Sequence, residues 1–332
     1  AAWADYDNDG DLDLFIGNEA GPGIDAPCQL YRNDNDGRFR DVAASAGVTN
    51  GGFTKGVVWG DIDGDRYPDL FVSNQGGKNR LFHNQRDGTF RDLAESAGVD
   101  GPKMSFPAWF WDFDNDGHLD LYVSVYAAKT ADLAAFHLGR EFSAEPSALY
   151  RGDGEGGFIN VTRECGLSRP DASMGANFGD LDNDGYLDFY LGTGYPSYES
   201  LMPSVMYLNR RGEKFVDVTT AGGFGHLQKG HAVAFADFDH DGDQDVFEQM
   251  GGAFPGDRFH DAFYENPGFA NHWITLRLVG TQSKRSAIGA RICVQTTEQG
   301  ETRKIYRHVN SGGSFGASPL RQTIGLGSVS YT

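Results

Sequence analysis

Asp5-Tyr6-Asp7-Asn8-Asp9-Gly10-Asp11-Leu12-Asp13 is the stretch that decides how this chain is read. Four further acidic stretches of the same form start at Asp61, Asp112, Asp180 and Asp237. With the first Asp as position 1, carboxylates recur at positions 3, 5 and 9. A tight loop turns every second side chain toward one centre. These groups and a backbone carbonyl at position 7 can therefore wrap one Ca2+, a hard cation that takes roughly six to eight oxygens. The predicted ligands of the first loop are Asp5, Asp7, Asp9, Asp11 and Asp13. Those of the second and third are Asp61, Asp63, Asp65, Asp69 and Asp112, Asp114, Asp116, Asp120. The fourth and fifth offer Asp180, Asp182, Asp184, Asp188 and Asp237, Asp239, Asp241, Asp245. Gly10, Gly117, Gly185 and Gly242 at position 6 allow the sharp bend without a Cβ penalty. The second loop departs, with Gly64 at position 4 and Arg66 at position 6.

A single Asp-rich turn reads equally well as a solvated loop. Five of them, each followed by an apolar β-like run, read as calcium loops. An EF-hand needs flanking helices and Glu at position 12. That position holds Ile16, Val72, Val123 and Leu191, and Glu only at Glu248.

The chain has 332 residues, enough for one large domain or two smaller ones, and 39% hydrophobic content supports a core. The net charge is −19, and five divalent ions would bring it to −9, so much of the acidity is ligand charge. Such a field argues against nucleic acid, whose binders need basic stripes. No run of apolar residues is long enough to span a membrane. Cys28, Cys165 and Cys293 lack metal or disulfide spacing and read as buried or free thiols. Calcium loops suit a calcium-rich setting, so a secreted or periplasmic location is expected. The chain starts almost inside a repeat, which suggests an upstream segment.

The loop starts are 56, 51, 68 and 57 residues apart, a period that means a solenoid, propeller or array. Each unit repeats one order. An apolar strand carries an aromatic two residues before the loop: Trp3, Trp59, Phe110, Phe178 or Phe235. A second strand leaves the loop, as in Leu119–Val123. A third follows, as in Leu81–Asn84, and a Gly-rich turn leads to a fourth opening at Phe39, Phe90, Phe158 or Phe215. Four short antiparallel strands make a propeller blade. The expected fold is all-β, a calcium-stapled β-propeller whose repeats span residues 1–270, with about seven blades once segments beyond the chain's ends are counted. From Asn271 the pattern changes to strands without acidic loops, a C-terminal β module over 271–332 that either stands beside the ring or completes it.

The repeats resemble FG-GAP/VCBS propeller repeats, the class that also builds integrin α-subunit heads. The stretch from Asn271-His-Trp-Ile-Thr to Ala287-Ile-Gly-Ala-Arg291 is similar to the ASPIC/UnbV module. Together they resemble the cartilage acidic protein/UnbV family. That resemblance implies a secreted or periplasmic protein and no settled chemistry. The family's tail usually continues beyond the point where this chain stops at Thr332.

Topology puts the acidic loops on one face and the second-to-third strand connections on the other. Those connections hold the insertions: Asn18–Cys28, Tyr126–Ser147 with a short helix around Leu133, Phe136 and Leu138, Gly194–Pro203, and Gly251–His260. Long loops on a rigid scaffold collect function. Alignment puts Lys55, Phe106, Met174 and His231 at one equivalent position near the axis. Lys55, Met174, His226, Tyr195 and His137 are candidate ligand contacts. Glu248 replaces an apolar residue in the same unit as Lys229 and His231.

Two functions follow from different classes. The first is an extracytoplasmic calcium-binding scaffold that holds a protein, glycan or small ligand on the face opposite its loops. The second is an enzyme with His231, Lys229 and Glu248 as acid/base or anchoring groups in an axial pocket. A buried hydrogen-bond network explains those three residues as well. An enzyme calls for a deep pocket on which they converge, and a binding module for a broad surface. Arg151-Gly152-Asp153 matches an adhesion tripeptide but sits at a hairpin turn, where Gly and Asp belong. Asn160-Val161-Thr162 is a glycosylation sequon falling in a strand. No phosphate-cradling loop or nucleophile elbow occurs.

Overall fold

The second strand of unit two, Asp69–Asn74, is buried at every position. So are its counterparts Asp120–Val125 and Asp188–Thr193. Strands covered on both faces lose the in-out alternation of a half-solvated sheet and read as near-continuous apolar runs. The equivalent strand of unit one, Asp13–Ile16, alternates buried and half-buried residues. These three middle units are therefore packed between neighbours, and unit one is covered on one side.

The structure is a computed structural model that describes residues 1–195, 202–252, 254–256, 259–281, 284–298 and 300–329. It is all-β. Five four-stranded sheets are present among the described residues. In units one to four the strand order follows the sequence and every pair is antiparallel. The first strands are Ala2–Ala4, Thr54–Gly60, Ser105–Trp111 and Ser173–Gly179, with Lys229–Ala236 in unit five. Each first strand packs against that of the next unit, so they form one inner row. Among the described residues no sheet closes on itself. Clusters centred on Phe15 and Leu70, Phe71 and Leu121, Trp111 and Phe189, and Tyr190 and Phe235 fill the successive joints between units.

The insertion of unit three carries the expected helix, at Thr130–His137, whose Leu133 packs with Ala128, Ala172 and Met202. Most of the unit-four insertion, residues 196–201, lies outside the described residues, as do positions 253, 257 and 258 of unit five.

Unit five has three antiparallel strands and gains its fourth from the tail. Gly316–Ala317 pairs parallel with Val233 and Ala234 of the inner strand. The rest of the tail forms two two-stranded sheets, His272–Leu276 with Gln322–Gly327 and Arg291–Glu298 with Glu301–His308. They share a core of Ile292, Ile305, Val309, Ile324 and Leu326. Before Gly316 the chain runs along the inner row: Ser314 Oγ bonds the Ala108 carbonyl at 3.0 Å, and Gly313 N–H donates to Asn177 Oδ1.

Candidate functional site

Loops one to four are built by one full set of hydrogen bonds, of which loop five repeats the position-9 part. Position 1 uses one oxygen, Oδ2, to accept the position-6 N–H. Gly10 bonds Asp5, Arg66 bonds Asp61, Gly117 bonds Asp112 and Gly185 bonds Asp180, at 2.9–3.2 Å. Position 9 accepts the position-2 N–H and an N–H of the third strand. For Asp188 these are Leu181 at 2.7 Å and Asn209 at 2.7 Å, and Asp13, Asp69, Asp120 and Asp245 repeat the scheme. The loop backbone turns twice through positive φ, at positions 4 and 6. Loop two does so at Gly64 and Arg66, where loop three uses Asn115 and Gly117. Its displaced glycine therefore leaves the backbone path unchanged.

The other position-1 oxygen is the deciding observation. Oδ1 of Asp5, Asp61, Asp112, Asp180 and Asp237 is buried and has no hydrogen-bond partner. A buried carboxylate oxygen left without a partner costs free energy unless something else compensates it. In loops one to four the position-1 carboxylate converges with positions 3 and 9, one oxygen from each lying within 4.8 Å of the others: Asp5, Asp7, Asp13; Asp61, Asp63, Asp69; Asp112, Asp114, Asp120; Asp180, Asp182, Asp188. In loop five the trio is Asp237, Asp239 and Asp241. Position-5 residues Asp9 and Asp116 are exposed, as is the tip of loop one at Gly10. An all-oxygen donor set of this kind suits a hard cation such as Ca2+. Burial pushes Asp13 up to about 7, Asp112 and Asp180 to about 7, and Asp61 to about 6, with neighbouring loop carboxylates adding to it.

Neighbouring loops are joined by asparagines. Asn8 donates to the Arg66 carbonyl, Asn115 to that of Gly185 and Asn183 to that of Gly242, each from position 4 of one loop to position 6 of the next. Third-strand asparagines Asn84, Asn209 and Asn266 donate back to the position-2 carbonyls of Tyr6, Phe113 and Leu181. Between units two and three glycine replaces both donors, as Gly64 and Gly152. Arg151 turns to Asp114 at 2.8 Å, and Asp153 accepts the Glu155 and Gly157 N–H groups of its turn.

The repeats place this chain. A family model described as "FG-GAP-like repeat" matches residues 5–72, 61–123 and 130–191, more than half of the sequence. The chain belongs to the FG-GAP-like repeat family. Among curated relatives of this FG-GAP-like chain, cartilage acidic protein 1 of Mus musculus is 29% identical over 271 residues, covering 80% of this chain and 39% of the relative. The Homo sapiens protein of the same name is 29% identical, covering 80% and 38%. That of Xenopus tropicalis is 30% identical over 190 residues, covering 55% and 26%. The chain thus spans about two fifths of the length of the first two. A solved Tc holotoxin pore of Photorhabdus luminescens matches with TM-score 0.38 and 18% identity, over 76% of this chain and 11% of that one.

On the other side, register confirms the aligned positions. Lys55, Met174 and His231 are each the extra residue at the β-bulge of their first strand, and Phe106 lies with Pro107 between the paired Ser105 and Ala108 at the same irregularity. Lys55 Nζ pairs with Glu19 at 2.5 Å and lies 4.3 Å from the Phe53 ring and 5.1 Å from that of Phe106. Phe106 packs on Phe315 at 4.9 Å and Tyr126 at 5.2 Å, and Tyr126 stacks on Tyr195 at 5.4 Å. Phe315 and Tyr195 are 42% and 40% exposed, so this aromatic row opens to solvent. Phe315 could not be found by repeat alignment, because it comes from the tail.

Met174 is half-buried at its bulge. His226 is half-buried and holds the Ser204 N–H through its carbonyl. His137 is exposed at the end of the unit-three helix, its ring 5.4 Å from Phe136. Glu248 is wholly buried, and it accepts hydrogen bonds from Tyr190 OH and Ser204 Oγ, both at 2.8 Å. Burial pushes it up to about 7 against those bonds. Across the strand pair its partner is Val233, and Gly192 and Gly230 lie against its carboxylate. Lys229 and His231 are half-buried on the inner strand, with the His231 ring against Gly251. Among the described residues no helix is long and apolar enough to cross a membrane.

Proposed function

We propose that this chain is a calcium-stapled β-propeller scaffold that works outside the cytosol. It binds a protein, glycan or small ligand on the face opposite its acidic loops. The single observation carrying the calcium part is the orphaned, buried Oδ1 at position 1 of all five loops. The inner row of first strands supports propeller geometry, with ring closure and about seven blades belonging to the proposal. An extracellular setting fits both the need for abundant Ca2+ and the word cartilage in the relatives' names. In this reading residues 1–270 carry the scaffold repeats and 271–332 form a C-terminal β module whose strand Gly316–Ala317 joins unit five.

The binding face is supported by an aromatic row in which exposed Phe315 and Tyr195 flank buried Phe106 and half-buried Tyr126, beside the Lys55–Glu19 pair. Rigid aromatic faces with a charged rim suit recognition of sugar rings or protein side chains. The acid/base role of Lys229, His231 and Glu248 is less favoured, because the Glu248 carboxylate is sealed between units and occupied by Tyr190 and Ser204. The test is a glycan array and a panel of extracellular-matrix proteins probed with the calcium-loaded chain. A ligand should lose about tenfold in affinity with Tyr195→Ala or Phe315→Ala. Equal binding by both variants would remove this face from the proposal.

A further inference from the structure

The tail does more than add a strand to unit five: it sits on the acidic loops themselves. Arg307, 4% exposed, places its guanidinium 3.0 Å from Asp180 Oδ2, and the Gly325 N–H reaches the same oxygen at 3.1 Å. Arg303 donates to the Asp184 carbonyl, Asn271 to that of Asp182, and the Gly327 N–H to that of Asn183. In loop three Tyr306 N–H donates to Asn115 Oδ1.

The position-6 glycines record the same cover. A Cβ on Gly117 would meet Arg291 and Tyr306, one on Gly185 would meet Ile305 and Arg303, and one on Gly242 would strike the Trp273 indole. A Cβ on Gly10 or Gly64 would meet nothing within 4 Å. Gly117, Gly185 and Gly242 are buried, whereas Gly10, Gly64 and Arg66 are exposed. Glycine in loops three to five thus serves two needs, the left-handed turn and the close approach of the tail. In loops one and two the tips stay open, with Lys284 reaching Asp5 at 3.5 Å as the tail's contact there.

We propose that the described parts of residues 271–308 and 322–327 form a cap over loops three and four that must lift before their cations can leave, with Arg307 as its anchor. The inference rests on the calcium reading above. The geometry divides Asp180 between two cations. Arg307 and Gly325 hold Oδ2, which fixes the carboxylate and leaves Oδ1 buried without a hydrogen-bond partner. A bound cation in turn fixes Asp180 for Arg307. Occupancy of the fourth loop and docking of the cap therefore support each other, as reciprocal linkage requires. Among the described residues loops one and two lack such a cover, and in loop five Asp239 and Asp241 are exposed, so these three loops exchange their ions first.

The experiment counts bound Ca2+ on the full chain by equilibrium dialysis. The loaded protein is then mixed with an excess of a chelating fluorophore in a stopped-flow instrument. The expected record has a fast phase of three ions and a slow phase of two, at least roughly tenfold apart, since release from the covered loops waits on local opening. Arg307→Met should merge the slow phase into the fast one. Because that change leaves Asp180 buried without its partner, the double variant Trp273→Ala/Arg303→Ala provides the second test, with all five ions still bound and the slow phase lost. A single phase from a five-ion native chain, or a slow phase unchanged in the folded double variant, overturns the cap. Failure to bind Ca2+ at all overturns the calcium reading, and the cap with it.

Discussion

Arg66 holds a left-handed backbone, φ 75°, at the position where four other loops place glycine. A non-glycine residue there costs about 1 kcal/mol, and Arg66 is exposed, so Arg66→Gly should stabilise the chain by up to that amount. Denaturant unfolding checks it, and a loss of stability would show that the Arg66 side chain contributes more than the strain removes. Glu248 makes a second residue-scale prediction. Its carboxyl is raised from an ordinary 4.5 to about 7 by burial, so the folded state prefers it protonated. Its contribution to stability is full below pH 4.5 and is lost as pH rises toward and through 7. Relative to Glu248→Gln, the native chain should therefore lose several degrees of melting temperature between pH 5 and pH 8 at fixed calcium. A constant difference between the two proteins would contradict this.

At the scale of elements, the asparagine links should matter in proportion to burial. Asn183 is wholly buried and bonds both the Gly242 carbonyl and Asp243 Oδ1, so Asn183→Ala should cost about 1–3 kcal/mol. Asn8 makes the equivalent bond at the exposed end of the row, and Asn8→Ala should cost about 0.5 kcal/mol. Equal losses in urea unfolding would remove burial as the cause. The loops themselves were legible because cation chemistry demands fixed residue types at fixed spacing, and Asp5 to Asp13 displays both. The helix at Thr130–His137 was legible from Leu133 and its neighbours. Loop two looked irregular in sequence, yet Gly64 and Arg66 retain the turn, since either residue of the pair can be the one forced into positive φ. The asparagine links were not legible, because their acceptors belong to the next unit. The bonds of Glu248 to Tyr190 and Ser204 escaped for the same reason: sequence showed an odd carboxylate but not which unit it faced.

For the whole molecule, the tail's place over the loops could not be read from repeats, because Arg307 and Asp180 are 127 positions apart and no local pattern pairs them. What the repeats did announce was a concentration of buried like charge. Asp112 and Asp180 are each raised to about 7, so below that pH a cation must displace protons to bind. Calcium affinity should weaken as pH falls from 7 to 6, which calorimetric titration at the two values would show, and an affinity independent of pH would contradict it. The most direct test of the central claim is thermal unfolding with Ca2+ and with chelator. Clustered carboxylates repel when no cation joins them. Melting temperature should fall by a large amount with chelator and be restored by Ca2+ but poorly by Mg2+, which demands near-octahedral geometry. An unchanged melting temperature would contradict calcium as the staple of this fold.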